Sequence, residues 1–170
     1  MSSTAAPAIA PTVWPDGFSP AGASVHAWAL RRSPAPPEQV FAWIRRLDLI
    51  GKFYGDVKLA RSRGGAWPEL DASSKAFFLA LGLPVAIKVG TYEENVRLGW
   101  TGGGPGVTAW HIFTVAPDGE GGTHVRSEEA WTGIGARLLS PVVTPGMQRL
   151  QSGWVDGLVK AAEGGFPPAA

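Results

Sequence analysis

His111 and Glu129 are the two side chains of this 170-residue sequence best placed to pass a proton between them. They lie on the two arms of VTAWHIFTVAPDGEGGTHVRSEEAW, within Gly106 to Trp131. There, runs rich in Val, Thr, Ile, Phe and Trp flank Pro117, Asp118, Gly119, Gly121 and Gly122. Gly and Asp tolerate the backbone angles of a chain reversal, so the pattern predicts a β-hairpin. If Val115 faces Val125 across the turn, then Phe113 faces Ser127, His111 faces Glu129 and Ala109 faces Trp131, all on one face. A carboxylate opposite an imidazole favours the charged ring and fixes its orientation, which suits a general acid and base. The same residues also suit a purely structural pair, and a register slip of one residue would turn both to water. The opposite face carries His124, Arg126 and Glu128 and reads as solvent-facing.

Other chemistry is thinner. The three histidines, His26, His111 and His124, have no close metal-ligand spacing, so neither a metal site nor a cofactor is expected. Gly133-Ile-Gly135 with Asp156 downstream faintly resembles a dinucleotide fingerprint, but Leu138 stands at the third glycine position and no parallel β-α-β unit surrounds it. The glycines of Thr101 to Gly106 lack the Gly-Lys-Ser/Thr ending of a phosphate loop, and Glu93-Glu94 reads as a solvated turn. With no Cys, the chain has no disulfide, thiolate nucleophile or Cys-based zinc site. Lys and Arg total 15 against 14 Asp and Glu, and the basic pairs Arg31-Arg32, Arg45-Arg46 and Arg61/Arg63 are scattered, so nucleic acid is not an expected partner.

The elements that must position the pair follow from pattern. Residues 1–23 are Ala/Pro-rich without a signal-peptide or membrane-anchor run, and read as a flexible arm with Trp14 and Phe18 able to dock it; a cytoplasmic location is the default. Ser24 to Arg32 is a strand closed off by Pro34, Pro36 and Pro37. Pro37 suits the first position of a helix whose Val40, Phe41, Ile44 and Leu47 share a face, and a second short helix starts at Asp48 and ends before Gly55. Asp56 to Arg63 is the next strand, with a turn at Gly64-Gly65. Gly82 and Pro84 split the following apolar run into two strands, and a hairpin joins Val85–Tyr92 to Val96–Trp100. Thr101 to Pro105 reads as a loop. After Trp131 an irregular link leads to a helix capped by Thr144, with Pro145 in its first turn and Met147, Leu150, Trp154, Leu158 and Ala161 as its apolar stripe up to Gly164-Gly165. This is an α+β pattern with about six to seven antiparallel strands, and 45% hydrophobic content is enough to fill one core.

PPEQVFAWI, YEENVRLGW and above all WHIFTVAPDGEGGTHVRSEEAWTG with its trailing helix carry a resemblance to the START-like helix-grip superfamily, often called SRPBCC. It includes polyketide cyclases and dehydrases, lipid-transfer domains and the birch pollen allergens. The likeness covers residues 24–163, leaving 164–170 as a tail. It implies a curved antiparallel sheet wrapped around the long C-terminal helix, two short helices after the first strand, and a cavity between sheet and helix. Such a cavity would take a hydrophobic or amphipathic small molecule such as a lipid, quinone or polyketide-like compound, bound by removing apolar surface from water. The residues read as facing it are Trp100, Phe113, Val115, Val125, Ser127, Trp131, Met147, Leu150, Trp154 and Leu158, with plain core packing as the commoner role of large aromatics. The alternative implied by the resemblance is a cyclase or dehydrase in which His111 removes a proton beside a carbonyl while Glu129 holds the imidazolium. Stable membrane insertion is not expected, and the oligomeric state is open.

Overall fold

A computed structural model describes residues 9–54, 57–62, 68–80 and 83–169. Residues 1–8 of the expected arm, and the expected roles of Gly55, Asp56, Arg63, Gly64-Gly65 and Gly82, lie outside the described residues. Among the described residues seven strands form one antiparallel sheet: β1 (Val25–Ser33), β2 (Val57–Ser62), β3 (Lys75–Ala80), β4 (Leu83–Glu93), β5 (Arg97–Gly104), β6 (Val107–Pro117) and β7 (Thr123–Thr132). Their order is β1-β7-β6-β5-β4-β3-β2, so every neighbour from β2 to β7 is a sequential hairpin partner and only β1 crosses over. The crossover from one sheet edge to the other is made by α1 (Pro37–Arg45), a single 3-10 turn (Leu47–Leu49) and α2 (Ile50–Phe53). The long helix α3 (Ile134–Glu163) lies across the sheet against β1 and β7 and touches α1 and α2. The α+β helix-grip architecture is therefore as the sequence implies.

Two elements differ from the sequence reading. Thr101 to Gly104 is not a loop; it continues β5, pairing with Ala86 to Lys88 on β4 and with Val107 to Trp110 on β6. Pairing on both sides overrides the low strand preference of three glycines. The helix read as starting near Thr144 begins ten residues earlier, at Ile134, and runs through Pro141 and Pro145. Each proline removes one intrahelical hydrogen bond. At Pro141 the carbonyl of Arg137 loses its donor, and the Ser140 hydroxyl supplies one at 3.0 Å. Thr144 is no cap: its hydroxyl donates back to the Ser140 carbonyl at 2.7 Å, inside the helix.

One apolar core fills the space between the concave face, α1, α2 and α3, with Phe41, Leu47, Leu98, Val125 and Leu158 among its most buried members. A smaller cluster of Val25, Ala27 and Met147, with Trp131, Val143 and Leu150 against it, packs under the first half of α3. Charge and amide groups tie the crossover to the end of α3. Gln39 donates to the Ala162 carbonyl at 2.5 Å, Trp43 to that of Gly165 at 2.8 Å, and buried Arg46 is held by Asp48 at 2.7 Å and by the Pro168 carbonyl.

The convex face is covered, not bare. Trp110 lies across Gly90 and Gly99, where any Cβ would come within 2.9 Å of its indole ring, and Phe18 packs beside it at 6.3 Å between ring centroids. Glu128, read as solvent-facing, is only 2% exposed: His26 at 2.9 Å, Arg126 at 2.8 Å and the Thr12 hydroxyl surround it, and Trp14 meets the edge of His26. The hairpin pattern alone could not show that residues before β1 fold over this face. Phe18→Ala is expected to cost about 1 kcal/mol, the scale of one aromatic contact, read as a lower urea midpoint.

Candidate functional site

The predicted register is the observed one. Across β6 and β7, Val115 pairs with Val125, Phe113 with Ser127, His111 with Glu129 and Ala109 with Trp131. The turn that sets this register is held by Asp118, whose carboxylate accepts from the Glu120 and Gly122 amides at 2.7 and 2.8 Å. Opposite positions do not become a direct hydrogen bond, however. His111 Nε2 reaches diagonally to Ser127 Oγ at 2.8 Å, and Ser127 Oγ donates to Gln151 Oε1 at 2.5 Å. Gln151 Nε2 in turn donates to Glu129 Oε2 at 2.7 Å, while Trp131 Nε1 donates to Glu129 Oε1 at 2.7 Å.

The direction of this chain fixes a tautomer. Ser127 has one hydroxyl proton and gives it to Gln151, so it accepts from His111 Nε2–H. Every bond then runs toward Glu129. The imidazole is buried at 3% exposure among Trp100, Phe113 and Trp154, at ring-centroid distances of 4.8, 4.8 and 4.5 Å. Burial without a carboxylate contact pushes the His111 pKa down to about 3, so the ring is neutral at ordinary pH. Burial also raises the Glu129 carboxyl to about 7, against the opposing pull of the Trp131 and Gln151 donors. The imidazolium–carboxylate pair expected from sequence is thus replaced by a neutral ring connected to a distant carboxyl.

Beside this chain is a narrow apolar cleft with about 10 Å³ of open interior, room for about one water, bounded by Ile44, Leu47, Ile50, Phe53, Trp100, Phe113, Trp154 and Leu158. Four of these, Trp100, Phe113, Trp154 and Leu158, are among the ten residues read as lining. Val115 and Val125 belong to the adjoining core, and Ser127 to the hydrogen-bond chain. Trp131, Met147 and Leu150 gather in the separate cluster under the first half of α3. His111 stands directly behind the cleft wall, since the three rings around it are wall residues.

One wall group is unusual. Trp154 is 6% exposed and its indole Nε1–H has no hydrogen-bond partner among the described residues. Its ring is fixed by Tyr54, stacked at 4.4 Å and 11°. A buried donor without an acceptor costs roughly 1–3 kcal/mol, so the Trp154 indole carries an unmet demand for an acceptor. Sequence reading missed the floor contributed by Ile44, Leu47, Ile50 and Phe53, and it missed Gln151. The signal for Gln151 was present: it falls on the stripe Met147, Gln151, Trp154, Leu158 as a polar residue among apolar ones. Among the described residues no three His, Asp or Glu side chains converge as a metal ion would need.

Residues 25–163 match the family described as polyketide cyclase / dehydrase and lipid transport. The chain belongs to that family. Solved structures share the fold at low identity. The hypothetical protein jhp0584 from Helicobacter pylori has a TM-score of 0.82 at 19% identity, covering 90% of this chain and 96% of that one. TTHA0849 from Thermus thermophilus has a TM-score of 0.67 at 20% identity, covering 82% and 97%. Ara h 8.0201 has a TM-score of 0.63 at 15% identity, covering 82% and 97%. A search of curated proteins returned no match.

Proposed function

We propose that this family member binds a small, largely apolar molecule with one hydrogen-bond acceptor in the cleft between α1, α2, the sheet and α3. The observation that carries this reading is the unpartnered Trp154 N–H in an otherwise apolar wall. Apolar walls supply affinity, and the lone donor supplies orientation. Flat surfaces from Trp100, Phe113 and Trp154 favour a planar ring bearing a carbonyl, such as a quinone or an aromatic polyketide-like ketone, over a plain acyl chain. Sites for drug-sized ligands span about 300–1,000 Å³, whereas the open interior of this cleft holds about one water, so a ring compound enters only as α2 moves outward.

Aldol closure or dehydration by His111 and Glu129 has less support. A proton acceptor near pKa 3 is a weak base at neutral pH, and Glu129 is separated from it by Ser127 and Gln151.

Native mass spectrometry of the purified protein before and after organic extraction tests the reading, with a co-purified mass as the expected result. Titration with 1,4-naphthoquinone, followed by tryptophan fluorescence, is the second arm. Trp154→Phe keeps the ring and deletes the donor, and should weaken naphthoquinone binding roughly five- to tenfold, the worth of about one hydrogen bond. No bound mass together with no saturable quenching defeats the proposal.

A further inference from the structure

The first half of α3 is amphipathic with the wrong side out. Ala136 and Met147 face the protein, while Ile134, Leu138, Pro141, Val142 and Pro145 form an outward stripe at the i, i+4, i+7, i+8, i+11 spacing of one helical face. Ile134, Leu138 and Val142 are 74%, 75% and 80% exposed. At 1.5 Å per residue the stripe is about 16 Å long. Exposed Arg137 and Arg149 border it, and no Asp or Glu occurs from Ala130 through Val155. The neighbouring β5–β6 turn, whose Gly106 carbonyl accepts from the Gly135 amide at 2.8 Å, is uncharged from Thr101 to Trp110.

We propose that this half of α3 docks on the surface of an anionic lipid bilayer, with Ile134, Leu138 and Val142 entering the acyl boundary and Arg137 and Arg149 meeting headgroup anions. A helix with an apolar face and only basic flanking charge has the composition of an interfacial helix. A second copy of this chain is a poorer partner, because two-fold packing of the stripe on itself sets arginines against arginines with no carboxylate to pair them. The contact is superficial: among the described residues no helix is long and apolar enough to cross a bilayer. The proposal stands whatever the cleft binds.

Flotation of the full chain with phosphatidylcholine vesicles, with or without phosphatidylglycerol, is the test. The protein should rise with the phosphatidylglycerol-containing vesicles, much less with phosphatidylcholine alone, and less again at high salt. The double substitution Leu138→Ser/Val142→Ser, at positions already exposed, should lower the bound fraction at least about tenfold with an unchanged circular-dichroism melt. Arg137→Gln/Arg149→Gln should lower it selectively on the anionic vesicles. A parent protein that stays unbound on anionic vesicles overturns the proposal, as does a double variant that floats equally well. A dimer in sedimentation velocity that the Leu138→Ser/Val142→Ser pair dissolves, without flotation, overturns it in favour of self-association.

Discussion

Gly157→Ala is expected to destabilise the protein by about 2–3 kcal/mol, although alanine is the better helix former by about 1 kcal/mol. Gly157 lies in α3 where that helix crosses the end of α2, and an added Cβ would sit 1.9 Å from the Phe53 carbonyl oxygen. The obstacle is backbone, not the end of a flexible side chain, so the helices must separate by more than an ångström to restore an ordinary contact. Gly146 and Gly153 on the same helix have nothing within 4 Å of an added Cβ, so alanine there should stabilise by about 0.5–1 kcal/mol through propensity alone. Urea midpoints for the three variants decide the matter: a Gly157→Ala shift with the sign of the other two would show that α3 is not seated on α2. The consequence reaches the site, because Phe53 from α2 and Trp154 and Leu158 around Gly157 all bound the cleft.

The sheet was legible in the sequence because its signals are local. Alternation along β6 and β7 plus the Asp118–Gly122 turn specified the pairing down to the residue, so His111 opposite Glu129 needed no tertiary information. The hydrogen bonding of the pair did need it. Whether an imidazole bonds the carboxylate across the ladder or a hydroxyl diagonal to it depends on Gln151, more than twenty residues away on a helix whose rotation the sequence leaves open. The same holds for α3 itself. Pro141 and Pro145 are strong local breakers, and what keeps the helix continuous is the docking of Ala136 and Met147 together with hydroxyls at Ser140 and Thr144. The buried Glu128 went unread because its cover comes from residues before β1, for which no periodic pattern exists.

Titration of Glu129 and His111 should shape stability in opposite directions, and the windows follow from the shifts. Glu129 holds its proton to about 7 in the fold against 4.5 for a free side chain, so the folded state binds that proton more tightly. Its contribution is complete below pH 4.5 and is lost as pH rises through 7. His111, depressed to about 3 from 6.5, contributes fully above pH 6.5, and that contribution is lost as pH falls through 3. Between these limits the two slopes offset, leaving a plateau near pH 5–6 with a loss on each side. At roughly 1.4 kcal/mol per pH unit, Glu129 alone gives up about 3 kcal/mol from pH 4.5 to 7, but His111 offsets most of it, leaving a net alkaline loss under about 1 kcal/mol. Urea unfolding across pH 5–8 should show the parent nearly level, losing under about 1 kcal/mol, while Glu129→Gln, left with the His111 slope alone, gains roughly 2 kcal/mol between pH 5 and 6.5; parallel curves would refute the assignment. The same proton reorganises the chain. A protonated Glu129 must donate, which requires Gln151 to turn its amide, Ser127 to give its hydroxyl proton to His111 Nε2, and the imidazole to move its own proton to Nδ1. Nitrogen NMR of the His111 ring should therefore report Nε2–H above pH 7 and Nδ1–H below it, with the ring neutral in both forms.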